Sequence, residues 1–290
     1  GAYQLGMEAA STIVTTADDV VDPYDGLISL REAIAYASDC IGSAAAGASK
    51  PYNSAYAAVN AMNNSGVYDA TYRSPITFDP SLAGQTIRLT SPLVFDKTDI
   101  NGRFFDYLID GSSLSRMANG GITIDCSGIE TGGPGGAQGA FNIIGRADTD
   151  NSLYWPVSLD IRNITIDGLG TSGYLSSTAF HVNNWGMLTM RNCLVDGFDT
   201  AVSVSDNDSD QAGLAHIYNS TIIGNVRVGG PVYVYNSILY ICTIPDTQND
   251  PAYRTCNAYS SFIYGYSGLY RFGGDSTPNW QNFESQFVDF

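Results

Sequence analysis

The chain has 290 residues and a formal net charge of −16, because 29 aspartate and glutamate residues face only 13 lysine and arginine residues. Nucleic acids and anionic membranes are bound by basic surfaces, so this balance argues against both as partners. It suits an exported protein that meets cations, neutral glycans or basic partners, and it equally suits an acidic surface that is merely solvated. No apolar run is long enough to span a membrane, and we expect a monomer.

Residues 1–75 are predicted to form an N-terminal cap. A β-branched strand and an acidic turn lead to Ser29-Leu-Arg-Glu32, which matches a capping box at the start of a helix. In a capping box Ser29 accepts from the amide of Glu32, and Glu32 accepts from the amide of Ser29. The helix is amphipathic and needs an apolar surface to cover, because four apolar residues share one face: Leu30, Ala33, Ile34 and Ala37.

The acidic turn before this helix has two interpretations. Its carboxylates are Asp18, Asp19, Asp22 and Asp25, and clustered carboxylates can hold calcium. A solvated turn explains the same residues. We expect residues 38–75 to be helical pieces and a long loop.

Residues 76–245 are predicted to be a stack of parallel β-strands. A ten-residue phrase, Leu159-Asp-Ile-Arg-Asn163-Ile-Thr-Ile-Asp-Gly168, recurs at 188–197, at 215–224 and, shortened, at 232–240. Its alternation predicts a half-buried strand in each copy, and a repeat too short to bury a core alone indicates a solenoid. The predicted interior residues are Ile161, Met190, Ile217 and Val234.

Each copy of the strand ends in asparagine. A short amide side chain tolerates the left-handed backbone of a tight bend and can bond to the next rung, so we predict an internal asparagine ladder. Two of its members also begin glycosylation sequons, which is the alternative interpretation. The ladder residues are Asn163, Asn192, Asn219 and Asn236.

Stacking would place the outward side chains of the repeat strands in two columns. One contains Asp160, Thr189, His216 and Tyr233, and the other contains Arg162, Arg191, Tyr218 and Tyr235. Aromatic rings beside hydrogen-bonding groups suit sugars, so these residues (Thr189 apart) form our candidate ligand-binding set. Tyrosine, threonine and arginine are also ordinary residues of an exposed sheet, and cross-strand pairing alone would account for them.

Acidic residues elsewhere offer weaker candidates. The alternating run Asp206, Asp208, Asp210 resembles calcium loops in its spacing but lacks their glycine, and an exposed acidic loop explains it too. Paired carboxylates could hydrolyse glycosides. The carboxylates in question end several strands: Asp110, Asp125, Asp167 and Asp196. Ordinary turn chemistry explains these residues as well, so the sequence designates no catalytic residue.

The cysteines show no zinc-like spacing. Cys193 follows a ladder asparagine and is predicted to be a buried thiol. Cys242 and Cys256 flank a polar loop and could form a disulfide in an oxidising compartment.

The strand, the acidic turn, the segment S-L-R-E-A-I at 29–34, the phrase F-D-P-S-L-A-G-Q-T-I-R-L at 78–89 and the asparagine repeat together resemble a known group. They are similar to secreted and cell-surface right-handed parallel β-helix proteins of bacteria, the adhesin-like members of the pectin-lyase-like superfamily. This group often has cysteine where the chain has Ile28.

The resemblance implies an all-β, single-stranded right-handed parallel β-helix behind a strand and a capping helix. It also implies a secreted or cell-surface protein, with residues 246–290 a tyrosine-rich segment leading into further chain. It says little about activity, because the fold carries lyases, hydrolases, adhesins and stalks. Since no acid–base set of the lyases is matched residue by residue, we favour non-catalytic adhesion or glycan binding. The alternative is a polysaccharide lyase or glycoside hydrolase, in which Arg162 or Arg191 would assist proton abstraction beside a carboxylate and calcium.

Overall fold

The chain folds as a parallel β-solenoid. A computed structural model describes residues 8–44, 75–96, 105–117, 120–129, 139–147, 154–155, 157–168, 178–205, 213–243, 256–267 and 272–273. Within these ranges every strand pair is parallel except one short antiparallel pair. The strands are β1 (Ile13–Val14), β2 (Thr77–Phe78), β3 (Thr86–Arg88), β4 (Leu93–Phe95), β5 (Phe105–Asp110), β6 (Thr123–Asp125), β7 (Phe141–Ile144), β8 (Arg146–Ala147), β9 (Tyr154–Trp155), β10 (Val157–Arg162), β11 (Thr165–Asp167), β12 (Thr178–Asn183), β13 (Gly186–Arg191), β14 (Leu194–Asp196), β15 (Thr200–Val204), β16 (Leu214–Tyr218), β17 (Thr221–Val228), β18 (Val232–Tyr235), β19 (Ile238–Thr243), β20 (Cys256–Tyr259), β21 (Phe262–Ser267) and β22 (Phe272–Gly273).

The coils present three faces. Face 1 is a seven-stranded sheet in the order β22-β20-β18-β16-β13-β10-β5. A second sheet bends into two limbs: face 2 contains β3, β6, β11 and β14, and face 3 contains β4, β7, β12 and β15. The longer strands β17, β19 and β21 run across both limbs. The solenoid therefore continues past residue 245, where the sequence predicts its end.

Inward side chains of the three faces fill one continuous core. The four predicted interior residues of face 1 are fully buried, which confirms the alternation seen in the repeat: Ile161, Met190, Ile217 and Val234. On face 3, Phe180 stacks on Phe141 one rung away with ring centroids 4.7 Å apart. Neither ring is exposed. Like side chains thus stack on like across neighbouring coils.

All four ladder asparagines have the predicted left-handed backbone, with φ of 56° at Asn163, 53° at Asn192, 48° at Asn219 and 47° at Asn236. The two without a sequon share this conformation, so the bend accounts for asparagine at every corner. The ladder is not internal as predicted, because Asn192, Asn219 and Asn236 are exposed. At a left-handed corner the side chain projects away from the core, and Asn192 Nδ2 donates to Asn163 Oδ1 at 3.3 Å on the outside.

A serine ladder lies directly behind these corners. The hydroxyl of Ser220 accepts from the amide of Cys193 at 3.1 Å and donates to the carbonyl of Tyr218 at 2.8 Å. Ser237 and Ser261 repeat the arrangement on the next two rungs. Each hydroxyl thereby satisfies a corner amide of the neighbouring coil, which stabilises the bend in register.

The N-terminal cap covers the first coil. Helix α1 (Leu30–Ala44) begins with the predicted capping box: the Glu32 amide donates to Ser29 Oγ at 3.2 Å, and the Ser29 amide donates to Glu32 Oε2 at 2.8 Å. Its predicted apolar face is buried. Arg31 bonds Asp19 at 2.8 Å and donates to the carbonyl of Pro92, so it ties the cap to the first coil. The other helices among the described residues are a 3₁₀ turn (Pro80–Leu82) and α2 (Ser112–Ser115).

Of the two predictions made for the cysteines, one is confirmed and one is wrong. Cys193 is a buried free thiol, as predicted. Cys256 is also a free thiol, so the suggested bridge to Cys242 is wrong. The two residues belong to different sheets, since Cys256 pairs with Val232 on face 1 and Cys242 pairs with Val226 on face 3. In the described part of the chain no helix has the length and apolarity to cross a membrane.

Candidate ligand-binding face

The outward side chains of β10, β13, β16, β18 and β20 form a surface that we call the Arg/Tyr face. Strand register confirms both predicted columns and extends each to β20, and it places Leu108 and Asp110 of β5 at their other ends. The inner column contains Asp160, Thr189, His216, Tyr233 and Asn257, and the outer column contains Arg162, Arg191, Tyr218, Tyr235 and Tyr259.

The outer column is a continuous stack. The guanidinium of Arg191 lies 4.4 Å from the ring centroid of Tyr218, which stacks on Tyr235 at 4.8 Å and an interplanar angle of 7°. Tyr235 stacks on Tyr259 at 4.9 Å and 9°. Both ring faces of Tyr218 and of Tyr235 are thus occupied by their neighbours. A ligand would meet a row of ring edges and hydroxyls, rather than the open ring faces that we expected to stack on sugars.

These hydroxyls are protonated at neutral pH, and burial raises the pKa of Tyr218, Tyr233 and Tyr235 further above the ordinary tyrosine value. Each is then a neutral group that both donates and accepts hydrogen bonds. The surface is suited to ligands that carry hydroxyls.

His216 connects the two columns. Its ring stacks on Tyr233 at 4.9 Å, and its Nδ1 lies 3.0 Å from the hydroxyl of Tyr218. Burial, assisted by the nearby charge of Arg191, lowers the pKa of His216 to about 4. At neutral pH the imidazole is uncharged and acts as a packing and hydrogen-bonding group.

The depressed pKa of His216 predicts an acid-sensitive fold. Above the ordinary histidine pKa of about 6.5 both states are neutral and pH has no effect through this residue. Below that pKa the imidazole of His216 is protonated in the unfolded chain but stays neutral in the folded chain. The free energy of unfolding therefore falls until pH reaches about 4. Urea unfolding of the wild type and of His216→Gln across this range measures the effect.

The His216→Gln variant should show a shallower fall in stability across the same range. Burial also lowers the pKa of His181 on face 3, so the variant should retain part of the slope. Identical slopes for the two proteins would contradict the role assigned to His216.

Asp160 was predicted to contact a ligand, but only 3% of it is exposed, so it lies too deep to do so. Arg162 Nη2 lies 2.6 Å from Asp160 Oδ2, and Arg162 Nε donates to Asp160 Oδ1 at 3.0 Å. Arg191 Nε lies 3.8 Å from Oδ2 on the other side. The two guanidinium groups cover the carboxylate, so Asp160 positions the arginines from beneath.

Three of the four strand-end carboxylates accept a hydrogen bond from a turn amide. Asp110 accepts from the amide of Ser112 at 2.8 Å, Asp125 from that of Ser127 at 2.7 Å, and Asp196 from that of Gly197 at 2.6 Å. Asp125, Asp167 and Asp196 occupy one column of face 2, whereas Asp110 belongs to face 1. These contacts favour the turn interpretation.

Of the two candidate calcium sites, only the N-terminal acidic turn lies within the described residues. In the N-terminal turn, Asp22 and Asp25 accept from the amides of Tyr24 and Leu27, and Asp19 is held by Arg31 and Thr90. Asp206, Asp208 and Asp210 lie outside the described residues. Over the ranges given above, no group of three acidic, histidine or cysteine side chains is arranged to hold a metal.

Sequence reasoning missed Tyr259 and Asn257. Their strand, Cys256-Asn-Ala-Tyr259, alternates like the other copies, but its corner residue is Ser260, with φ of 46°, instead of asparagine. The Ser260-Ser261 pair after the alternating segment was the available signal, since serine also follows Asn219 and Asn236.

No protein-family model matches this chain, and neither the curated proteins nor the solved structures contain a significant match. Its function therefore has to be inferred from its own residues.

Proposed function

We propose that this protein is a non-catalytic, exported β-helix protein that binds glycan along the Arg/Tyr face. The observation that carries the proposal is the continuous stack of Arg191, Tyr218, Tyr235 and Tyr259. Successive rungs repeat the same hydroxyl at one strand spacing, about 4.8 Å, which suits a ligand that is itself a repeating chain. The acidic composition and the resemblance to secreted β-helix proteins support export.

Rigidity supports the same role. The rings of Tyr218 and Tyr235 are each held by a neighbour above and below, and the hydroxyl of Tyr218 is also held by His216. Side chains that are already ordered lose little conformational entropy when a ligand arrives. The stack therefore favours binding over simple surface solvation.

Arg191 supplies the charged element of this surface. Its partner Asp160 is already bonded through both oxygens by Arg162, and the closest approach of Arg191 Nε to that carboxylate is 3.8 Å. About 40% of the Arg191 side chain is exposed. Since Nε itself is buried, the terminal nitrogens of its guanidinium are the groups that can donate to the hydroxyl or ring oxygens of a sugar lying on the tyrosine edges.

A glycan array with and without calcium tests the proposal. We expect retention of a polysaccharide by the wild type and roughly tenfold weaker binding by the Arg191→Ala, Tyr218→Ala double variant. The matched control is Arg88→Ala, Tyr240→Ala, which removes an exposed arginine and an exposed tyrosine. Full retention by a folded Arg191→Ala, Tyr218→Ala protein would remove the Arg/Tyr face as the site.

The alternative function is a polysaccharide lyase or glycoside hydrolase. What favours it is the juxtaposition of Asp160 with two arginines. Under our proposal, bound polysaccharides release neither new reducing ends nor unsaturated sugars. Cleavage products that are released by the wild type and absent with Asp160→Asn would establish the enzyme instead. If the protein neither binds nor cleaves a polysaccharide, a stalk or a protein adhesin is favoured.

A further inference from the structure

A second surface lies at the corner where face 1 turns into face 2. It is a groove of about 520 Å³, running along the exposed side of the asparagine corners. The α2 segment after β5 forms one wall. The residues that define it are Asn163, Asn192, Asn219, Thr165, Leu194 and Ser115.

The backbone of the corners creates this groove. Because three successive asparagines are left-handed, their amides project outward in line, about 4.8 Å apart. Asn192 Nδ2 donates to Asn163 Oδ1, so these two amides share one orientation. Ile164 and Cys193, buried beneath them, close the floor. The result is a row of three carboxamides along the groove, of which Asn192 and Asn219 are exposed and Asn163 is partly exposed.

The chemistry of the groove is neutral. Among the described residues that line it none is charged, although the whole chain carries a net charge of −16. Carboxamides both donate and accept hydrogen bonds, Thr165 adds a hydroxyl, and Leu194, which is 38% exposed, adds an apolar patch. A ligand that matches this pattern offers hydroxyls, apolar C–H surface and no charge.

From these contacts we infer that the corner groove binds a neutral oligosaccharide lying along the solenoid axis. One amide would meet each successive sugar, since the spacing of the rungs is close to the length of one pyranose unit. Leu194 would contact the C–H face of a ring. The groove adjoins the Arg/Tyr face, since Asn192 follows Arg191 and Asn219 follows Tyr218, but none of its lining residues belongs to that face.

Aspartate substitutions test the groove with little change in backbone. Asp tolerates the left-handed conformation, has the size of Asn, and replaces two donors with a negative charge. The probes are neutral oligosaccharides of glucose, mannose, galactose and xylose, measured by titration calorimetry. Asn192→Asp and Asn219→Asp are expected to weaken binding of the tightest of them at least tenfold, whereas Asn236→Asp should bind like the wild type.

Asn236→Asp is the matched control because Asn236 occupies the same left-handed, exposed corner but does not line the groove. Ser115→Trp, a bulky residue on the exposed wall, should also abolish binding. The inference fails if no neutral oligosaccharide binds, or if Asn236→Asp loses as much affinity as Asn219→Asp. It also fails if the groove variants weaken binding of an extended peptide and leave oligosaccharide binding unchanged. Loss in Arg191→Ala, Tyr218→Ala alone would assign the sugar to the Arg/Tyr face.

Discussion

Replacing Phe180 with alanine is expected to lower the free energy of unfolding by about 3–5 kcal/mol. Phe180 is fully buried on face 3, where it stacks on Phe141 and lies in register with Val202. Alanine would leave a cavity between two coils that cannot close, because the hydrogen-bonded backbones fix the spacing of the rungs. Urea unfolding, with the slope checked for a two-state transition, measures the loss.

The control for this prediction is Ile238→Ala on face 2. Ile238 is 43% exposed and faces outward, so its truncation should change stability by less than about 1 kcal/mol. Comparable losses in the two variants would mean that the solenoid interior is not packed as described.

Asp160→Ala should cost about 2–3 kcal/mol, which is below the range for fully buried ion pairs because both arginines are partly exposed. The buried carboxylate separates Arg162 from Arg191, which pair directly across β10 and β13. Without it two like charges stand opposite each other. Since salt screens that repulsion, the loss should shrink between about 0.1 M and about 1 M ionic strength.

Asp110→Ala provides the comparison. Asp110 pairs in register with the same Arg162, but it is less deeply buried and its carboxylate bonds the amide of Ser112 in its own turn. We expect a smaller loss with a weaker salt dependence, since Asp110 also attracts Arg162 but is not placed between the two arginines. Equal losses and equal salt dependence for the two variants would contradict the role of Asp160 in holding the arginines apart.

The register of face 1 could be predicted from sequence because the side-chain period of a strand is two and each copy ends on a residue suited to a left-handed corner. These two constraints together align Arg162, Arg191, Tyr218 and Tyr235 without further information. The capping box was predictable for a similar reason, since its contacts join residues only three positions apart.

Features that depend on the neighbouring coil could not be predicted in this way. Asp160 alternates as an outward residue, yet two arginines, one of them 31 residues away along the chain, cover it. Tyr259 was missed because Ser260 adopts the left-handed corner in place of asparagine. The exposure of the asparagine amides follows from the direction of the corner, which hydrogen-bonding capacity alone does not determine.

The uneven coil lengths of this solenoid have an evolutionary consequence. Successive corner asparagines at 163, 192, 219 and 236 are 29, 27 and 17 residues apart, but their strands keep one register. Residues can thus be gained or lost between rungs without shifting any column. Lineages of this protein could diversify the loops at its edges while inheriting both candidate binding surfaces unchanged.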